Sequence, residues 1–279
     1  MGGGAERAGL AGDMPAEEFR RYGHLLVDRI AQYLEEVERH PVLSRSKPGE
    51  VRASLPAEPP VAGEDMATIL ADFEARILPG ITHWNHPGFM AYFAITGSGP
   101  GILGELLTAG LNANGMLWRS SPAVTELEEV TLDWLRQLLG LPEPLFGEIT
   151  DTASSSTLYA LAAAREFAGA GIHPRGTGGQ RLRVYCSAEA HSSVDKAVIT
   201  LGLGSDGLKH IPVDERFRMR PDLLATAIAE DRAGGIRPLA VVATAGTTGT
   251  TSIDPVPEIA DICEREGMWL HVDAAYAGV

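Results

Sequence analysis

The 279-residue chain carries 23 Lys and Arg against 37 Asp and Glu, so its surface repels nucleic acid and anionic membrane rather than binding them. Its length is enough for one large domain with an appendage around a substantial buried core. The two cysteines, Cys186 and Cys263, sit in apolar contexts without a CxxC spacing and read as core thiols, which excludes a disulfide framework or a zinc ribbon.

Residues 1–13 are rich in Gly and Ala and read as a disordered start, without the apolar core of a secretory signal. Pro15 to His40 reads as an amphipathic helix, because Phe19, Tyr22, Leu26, Ile30, Tyr33 and Val37 share one face. Pro41 to Gly63 is a Pro-rich connector, and Met66 to Leu78 a second helix stopped by Pro79-Gly80. Neither helix alternates with strands, so residues 14–95 are expected to form a separate helical segment whose apolar face packs on a partner, a second subunit being the candidate. The stretch from Ile77 to Gly104 lacks Lys, Arg, Asp and Glu, but its prolines rule out a membrane helix. A cytoplasmic location is the expectation.

Past residue 96 the pattern changes to that of an α/β domain. Helices are expected over Pro100 to Gly110, Pro122 to Leu139 and Ser154 to Ala168. Strands at Leu182–Ser187, Lys209–Val213, Leu239–Thr244 and Trp269–Asp273 then alternate with helices at Ser192–Leu201, Arg220–Arg232 and Pro257–Glu266. Such alternation predicts βαβ units and a mostly parallel sheet. In open α/β sheets ligands bind at the carboxyl ends of strands, and four polar groups fall there. Asp151 to Thr157 precedes an Ala-rich helix, where free amides and the dipole favour an anion; taken alone it reads as well as a capped helix start. His191 follows the first strand, Thr244 ends the third and Asp273 ends the fourth. A histidine there can stack on a planar ligand and move a proton near neutral pH. A buried acid needs a partner, and the protonated ring nitrogen of pyridoxal 5'-phosphate (PLP) is one suited to Asp273.

Five segments carry a resemblance: His86-Pro87-Gly88-Phe89-Met90-Ala91-Tyr92-Phe93, Ser121-Pro122-Ala123-Val124-Thr125-Glu126-Leu127-Glu128, Ala190-His191-Ser192-Ser193, Val242-Ala243-Thr244-Ala245-Gly246-Thr247-Thr248 and His271-Val272-Asp273-Ala274-Ala275-Tyr276-Ala277-Gly278. In this order they resemble the PLP-dependent group II amino-acid decarboxylases, most of all the aromatic-L-amino-acid decarboxylase branch. The resemblance implies the fold-type-I, aspartate-aminotransferase-like large domain over residues 96–279, preceded by a helical segment exchanged within a homodimer. It implies that Ala153 and Ser154 bind the cofactor phosphate, that His191 stacks on the ring, and that Thr244 contacts the cofactor. Asp273 would pair with the ring nitrogen and Ala275 would line the other ring face. His191 and Asp273 are the implied catalytic residues. Trp84, Tyr92 and Phe93, with Asn114 and Met116 from the partner subunit, would line a pocket for an L-amino acid.

Asn114 and Met116 stand where aromatic-specific relatives usually offer an aliphatic and an aromatic residue, and Ala94-Ile95 replaces the usual Pro-Thr. The family's Schiff-base lysine falls beyond Val279, and neither Lys47, Lys196 nor Lys209 suits that role; Lys196 follows His191 by five helical positions and is expected on another face. The chain is therefore expected to be an inactive fragment of a decarboxylase, the alternative being a non-catalytic, dimerising or PLP-binding protein. A dinucleotide enzyme is a weaker alternative: Gly99-Pro100-Gly101-Ile102-Leu103-Gly104 matches GxGxxG, but another helix follows it instead of a strand.

Overall fold

Leu239 to Thr244 is an uninterrupted apolar run ending in a hydroxyl, the pattern of a strand covered on both faces. In the computed structural model, which describes residues 14–95, 97–169, 176 and 179–278, it lies within the buried part of β3 (Arg237–Thr244). The other strands are β1 (Leu182–Ser187), β2 (Leu208–Ile211) and β4 (Trp269–Asp273). All four run parallel in the order β2-β1-β3-β4, as the alternation predicts. The Gly-rich start at 1–13 lies outside the described residues.

The helices are α1 (Ala16–Glu36), α2 (Glu50–Ser54), α3 (Met66–Asp72), α4 (Gly99–Leu111), α5 (Pro122–Leu138), α6 (Ala153–Phe167), α7 (Ser193–Thr200), α8 (Pro221–Ala233) and α9 (Val256–Glu266). Local chemistry explains several boundaries. Thr152 accepts the Ser155 N–H and caps α6. Gly267, at φ +62°, closes α9 in the left-handed conformation that costs glycine least. Two expectations need adjusting. The Pro-rich connector holds the short α2, and the helix read through to Leu78 loosens into a π turn at Phe73–Ile77 and a 3₁₀ turn at Leu78–Gly80. Pro79 has no N–H to continue an α-helical ladder.

The chain divides into two compact units, up to Leu111 and from Asn112. In the second, the sheet separates two cores. One joins Leu161 and Ala164 of α6 and Val194, Ala197 and Val198 of α7 to Val184, Cys186, Ala240 and Val242. The other joins Leu224, Ala227 and Ile228 of α8 and Ile259, Ile262 and Cys263 of α9 to Tyr185, Val241 and Ala243. Neighbouring residues of β3 thus supply opposite faces, as the period of two requires. Cys186 and Cys263 are free, buried thiols, and burial pushes the latter up to about 11.

In the first unit His83 is fully buried, with Nδ1 2.9 Å from the Tyr33 hydroxyl and its ring stacked 4.6 Å from His40. Burial lowers its pKa, helped by the nearby His40 and His86 charges. The face read on α1 is only partly covered, Phe19 being 63% exposed. Among the described residues no helix is long and apolar enough to cross a membrane.

Candidate active site

The sheet's carboxyl edge gathers the expected groups on one side. Ala240 and Val242 face the α6–α7 core, so Thr244, two positions on, continues that face. His271 and Asp273 are related in the same way on β4. His271 Nε2 lies 3.4 Å from Thr157 Oγ1 of α6, which sets both on the α6 side. Thr244 and Asp273 are register partners on adjacent strands. The start of α6 and the His191 turn ahead of α7 belong to this same layer.

Each group is prepared differently. Ala153 and Ser154 open α6; the Ser155 and Ser156 N–H groups return to Thr152, whereas those of Ala153 and Ser154 precede the first intrahelical acceptor. His191 Nδ1 accepts the Ser193 N–H at 3.2 Å and lies 3.0 Å from the Ser193 hydroxyl, which fixes the ring. Asp273 Oδ1 accepts the Ala275 N–H at 3.2 Å, leaving Oδ2 uncommitted by that bond. The Ala245 N–H donates to the Asp273 carbonyl at 2.8 Å, joining the two strand ends. Thr244 is 4% exposed and its Oγ1 has no hydrogen-bond partner, a condition it shares with Arg165 Nε and Arg183 Nε among the described residues; unlike them it stands at the carboxyl edge, where a ligand atom would satisfy it. Gly246, at φ +95°, packs against Tyr276: a Cβ there would come within 2.5 Å of the Tyr276 ring. The loop after β3 therefore closes on the segment after β4 only because position 246 is glycine.

Two neighbours were not legible locally. Lys196, expected on a different face from His191, lines a cleft of about 190 Å³ with Ser154, Ser155, Leu158, Ser193 and Thr200, which His191 does not border. His271 stands behind Asp273 on the same strand face. Burial holds its pKa below the usual histidine value, against the opposing pull of Asp273. The His-x-Asp spacing is the signal that could have marked His271. A larger cleft of about 640 Å³ in the first unit, bordered by Arg39, His40, Arg45 and Glu74, contains none of the expected site residues.

The expected pocket residues fall in both units. In the first, the Trp84 and Tyr92 rings stack at 5.5 Å, 2° from parallel, and Phe89 lies 4.9 Å from Trp84. Tyr92 adopts φ +57°, a conformation uncommon for a non-glycine residue, and Phe93 follows it. In the second, Asn114 Oδ1 accepts the Met116 N–H at 2.9 Å in an exposed turn. The GxGxxG match from Gly99 to Gly104 opens α4 and is followed by α5, so it lacks the strand context of a dinucleotide loop. No group of three or more metal-ligating side chains occurs among the described residues.

A helix start, an imidazole, an unsatisfied hydroxyl and a carboxylate along one strand edge suit a flat, phosphate-bearing aromatic cofactor, and the class is that of fold-type-I PLP proteins. The Pyridoxal-dependent decarboxylase conserved domain matches residues 48–279, and the chain belongs to that family. It is 40% identical over 271 residues to tyrosine decarboxylase 4 of Petroselinum crispum, covering 94% of this chain and 53% of that protein. It is 41% identical over 285 residues to aromatic-L-amino-acid decarboxylase of Mus musculus, covering 95% and 58%. The structure of Catharanthus roseus tryptophan decarboxylase in complex with L-tryptophan superposes with a TM-score of 0.90 at 39% identity, covering 96% of this chain and 58% of that one. The chain thus spans little more than half the length of these relatives. PLP is the cofactor of the family, and the unpartnered Thr244 hydroxyl and the open α6 start fit such a group.

Proposed function

We propose that the protein carrying this chain decarboxylates an L-amino acid, aromatic or related, to an amine and CO₂, as a homodimer. The observation that carries this reading is the buried, unpaired Thr244 Oγ1 beside Asp273 in a chain of this family. When bound, PLP supplies an electron sink for the pair left at Cα as CO₂ departs. Asp273 holds the proton on the ring nitrogen and keeps that sink cationic; fixed charge of this kind, set before reaction, is typically the largest catalytic contribution. Ala153 and Ser154 bind the phosphate through amides and hydroxyl, with the helix dipole favouring the anion. His191, its ring fixed by Ser193, stacks on one ring face and Ala275 lines the other. Trp84, Tyr92 and Phe93, with the partner's Asn114 and the partner's Met116, would line the pocket that orients the substrate. Leu127, Trp134 and Leu138 of α5 are exposed, apolar surface of the kind that a subunit contact covers.

The test is to load the holoenzyme with PLP, offer L-tyrosine, L-tryptophan, L-phenylalanine and L-glutamate in turn, and measure CO₂ with the organic product. Stoichiometric amine from an aromatic acid is expected. PLP uptake without CO₂ from any L-amino acid would leave the non-catalytic alternative, and no PLP uptake would end the cofactor reading.

A further inference from the structure

Asp254 is 2% exposed and has no ion-pair partner among the described residues. An Asp-Pro pair ahead of a helix reads locally as a helix start, yet the Asp254 side chain does not cap α9. It turns back to the sheet. Oδ2 accepts the Thr244 N–H at 2.8 Å and Oδ1 accepts the Met219 N–H at 2.7 Å. The Asp254 N–H in turn donates to the Thr244 carbonyl at 2.9 Å. One residue therefore engages both backbone groups of Thr244, the last residue of β3.

A buried carboxylate without a cation is costly, and burial raises the Asp254 pKa despite the two N–H donors. A neutral acceptor would close the turn at lower cost. The cost falls next to the one buried hydroxyl of the described residues that lacks a partner, Thr244 Oγ1. Met219 extends the connection. It pairs with Val213 across a hairpin in which Asp214 accepts the Arg216 and Arg218 N–H groups, and the Ser252 hydroxyl donates to the Arg216 carbonyl. The loop from Ala245 to Asp254 is closed by the Ala245–Ile253 bridge and by the Gly246 and Thr247 N–H groups on the Ser252 carbonyl.

We propose that Asp254 is a positioning residue for the cofactor: it locks the end of β3 so that Thr244 Oγ1 is presented before PLP arrives, and it ties that position through Met219 to the 213–219 hairpin. This rests on the PLP reading above. Asp254 touches neither cofactor nor substrate and acts through Thr244.

The experiment is a double-mutant cycle on PLP affinity in the holoenzyme with Asp254→Asn, Thr244→Val and both. Asn sets an amide NH₂ against one backbone donor, while Val removes only the hydroxyl. Each single variant is expected to weaken PLP binding about tenfold and to change the circular dichroism of bound PLP in the same way, and the double variant to lose no more than the worse single one. Losses that multiply, or an unchanged affinity in Asp254→Asn, overturn the proposal. A measurement without any variant guards against misfolding: in the unmutated apo protein the Thr244 amide should exchange as slowly as those of central β3. Fast Thr244 exchange that slows only on adding PLP also overturns the proposal. Failure of the unmutated protein to bind PLP instead removes the cofactor reading on which it stands.

Discussion

The two ends of the sheet surround their acids differently. At the amino end, Asp231, 6% exposed, is surrounded by partners. The buried Tyr185 hydroxyl donates to Oδ2 at 2.8 Å, Arg183 Nη2 donates to Oδ1 at 3.5 Å, and Lys209 Nζ is 3.8 Å from Oδ1. Burial first, and the bond to Asp231 second, push the Tyr185 pKa well above the usual phenol value. At the carboxyl end Thr244 Oγ1 is enclosed without a partner, Asp273 Oδ1 accepts only the Ala275 N–H and the His191 ring is fixed but exposed. A carboxylate met by several partners from within holds the fold, even though Arg183 Nε itself makes no hydrogen bond. An edge that leaves donors and acceptors waiting is arranged for something outside the chain.

The largest effect expected is at the satisfied end. Asp231→Ala strands the Arg183 charge and the Tyr185 hydroxyl, and should cost about 3–5 kcal/mol in a denaturant melt. A loss below about 1 kcal/mol would remove the contrast between the two ends. Asp273→Asn is the complementary test at the other end. The fold and PLP binding should survive, while single-turnover CO₂ release falls at least about a hundredfold, about 2.7 kcal/mol on the transition-state scale. Near-normal release would show that Asp273 does not tune the ring, and loss of folding would make it a structural acid like Asp231.

A smaller change is expected at the α6 start. Ser154→Asp sets negative charge against the phosphate and should weaken PLP retention about tenfold or more, about 1.4 kcal/mol, in a titration of the apo protein. Unchanged retention would reduce the turn to a helix cap.

The smallest effect is a pH dependence. His271 has its pKa lowered in the folded state, by burial foremost. The unfolded chain therefore binds the proton more readily. The contribution is complete above the unfolded value of about 6.5 and is lost as pH falls through the folded value. Thermal melts of the protein and of His271→Asn should differ in their acid limbs, with the variant flatter below about pH 6.5. Identical limbs would place the acid sensitivity elsewhere, with His83, lowered in the same direction in the first unit, the next group to vary.

The alternation of apolar runs and capped helices was readable because strands covered on both faces need continuous apolar sequence. Leu182–Ser187 and Trp269–Asp273 emerge as strands with the bounds that the pattern gave. Thr244 and Asp273 were legible because each ends such a run, and a parallel sheet brings all strand ends to one edge. The breaks within 66–80 were only partly legible, since Pro79 announces the stop but not the π turn before it.

Other features depend on residues far apart in the chain. Lys196 meets Ser154 only because α6 and α7 pack side by side on one sheet face, and His271 meets Thr157 for the same reason. Asp254 gives no local sign that its carboxylate crosses back to Thr244 and Met219. The sequence by itself determined which segments are buried and which polar residues stand at their ends, because burial and periodicity are local properties of the chain. Only the tertiary structure decided which of those polar groups are satisfied from within and which are left waiting, because a hydrogen bond depends on the distance between atoms that folding, not sequence adjacency, brings together.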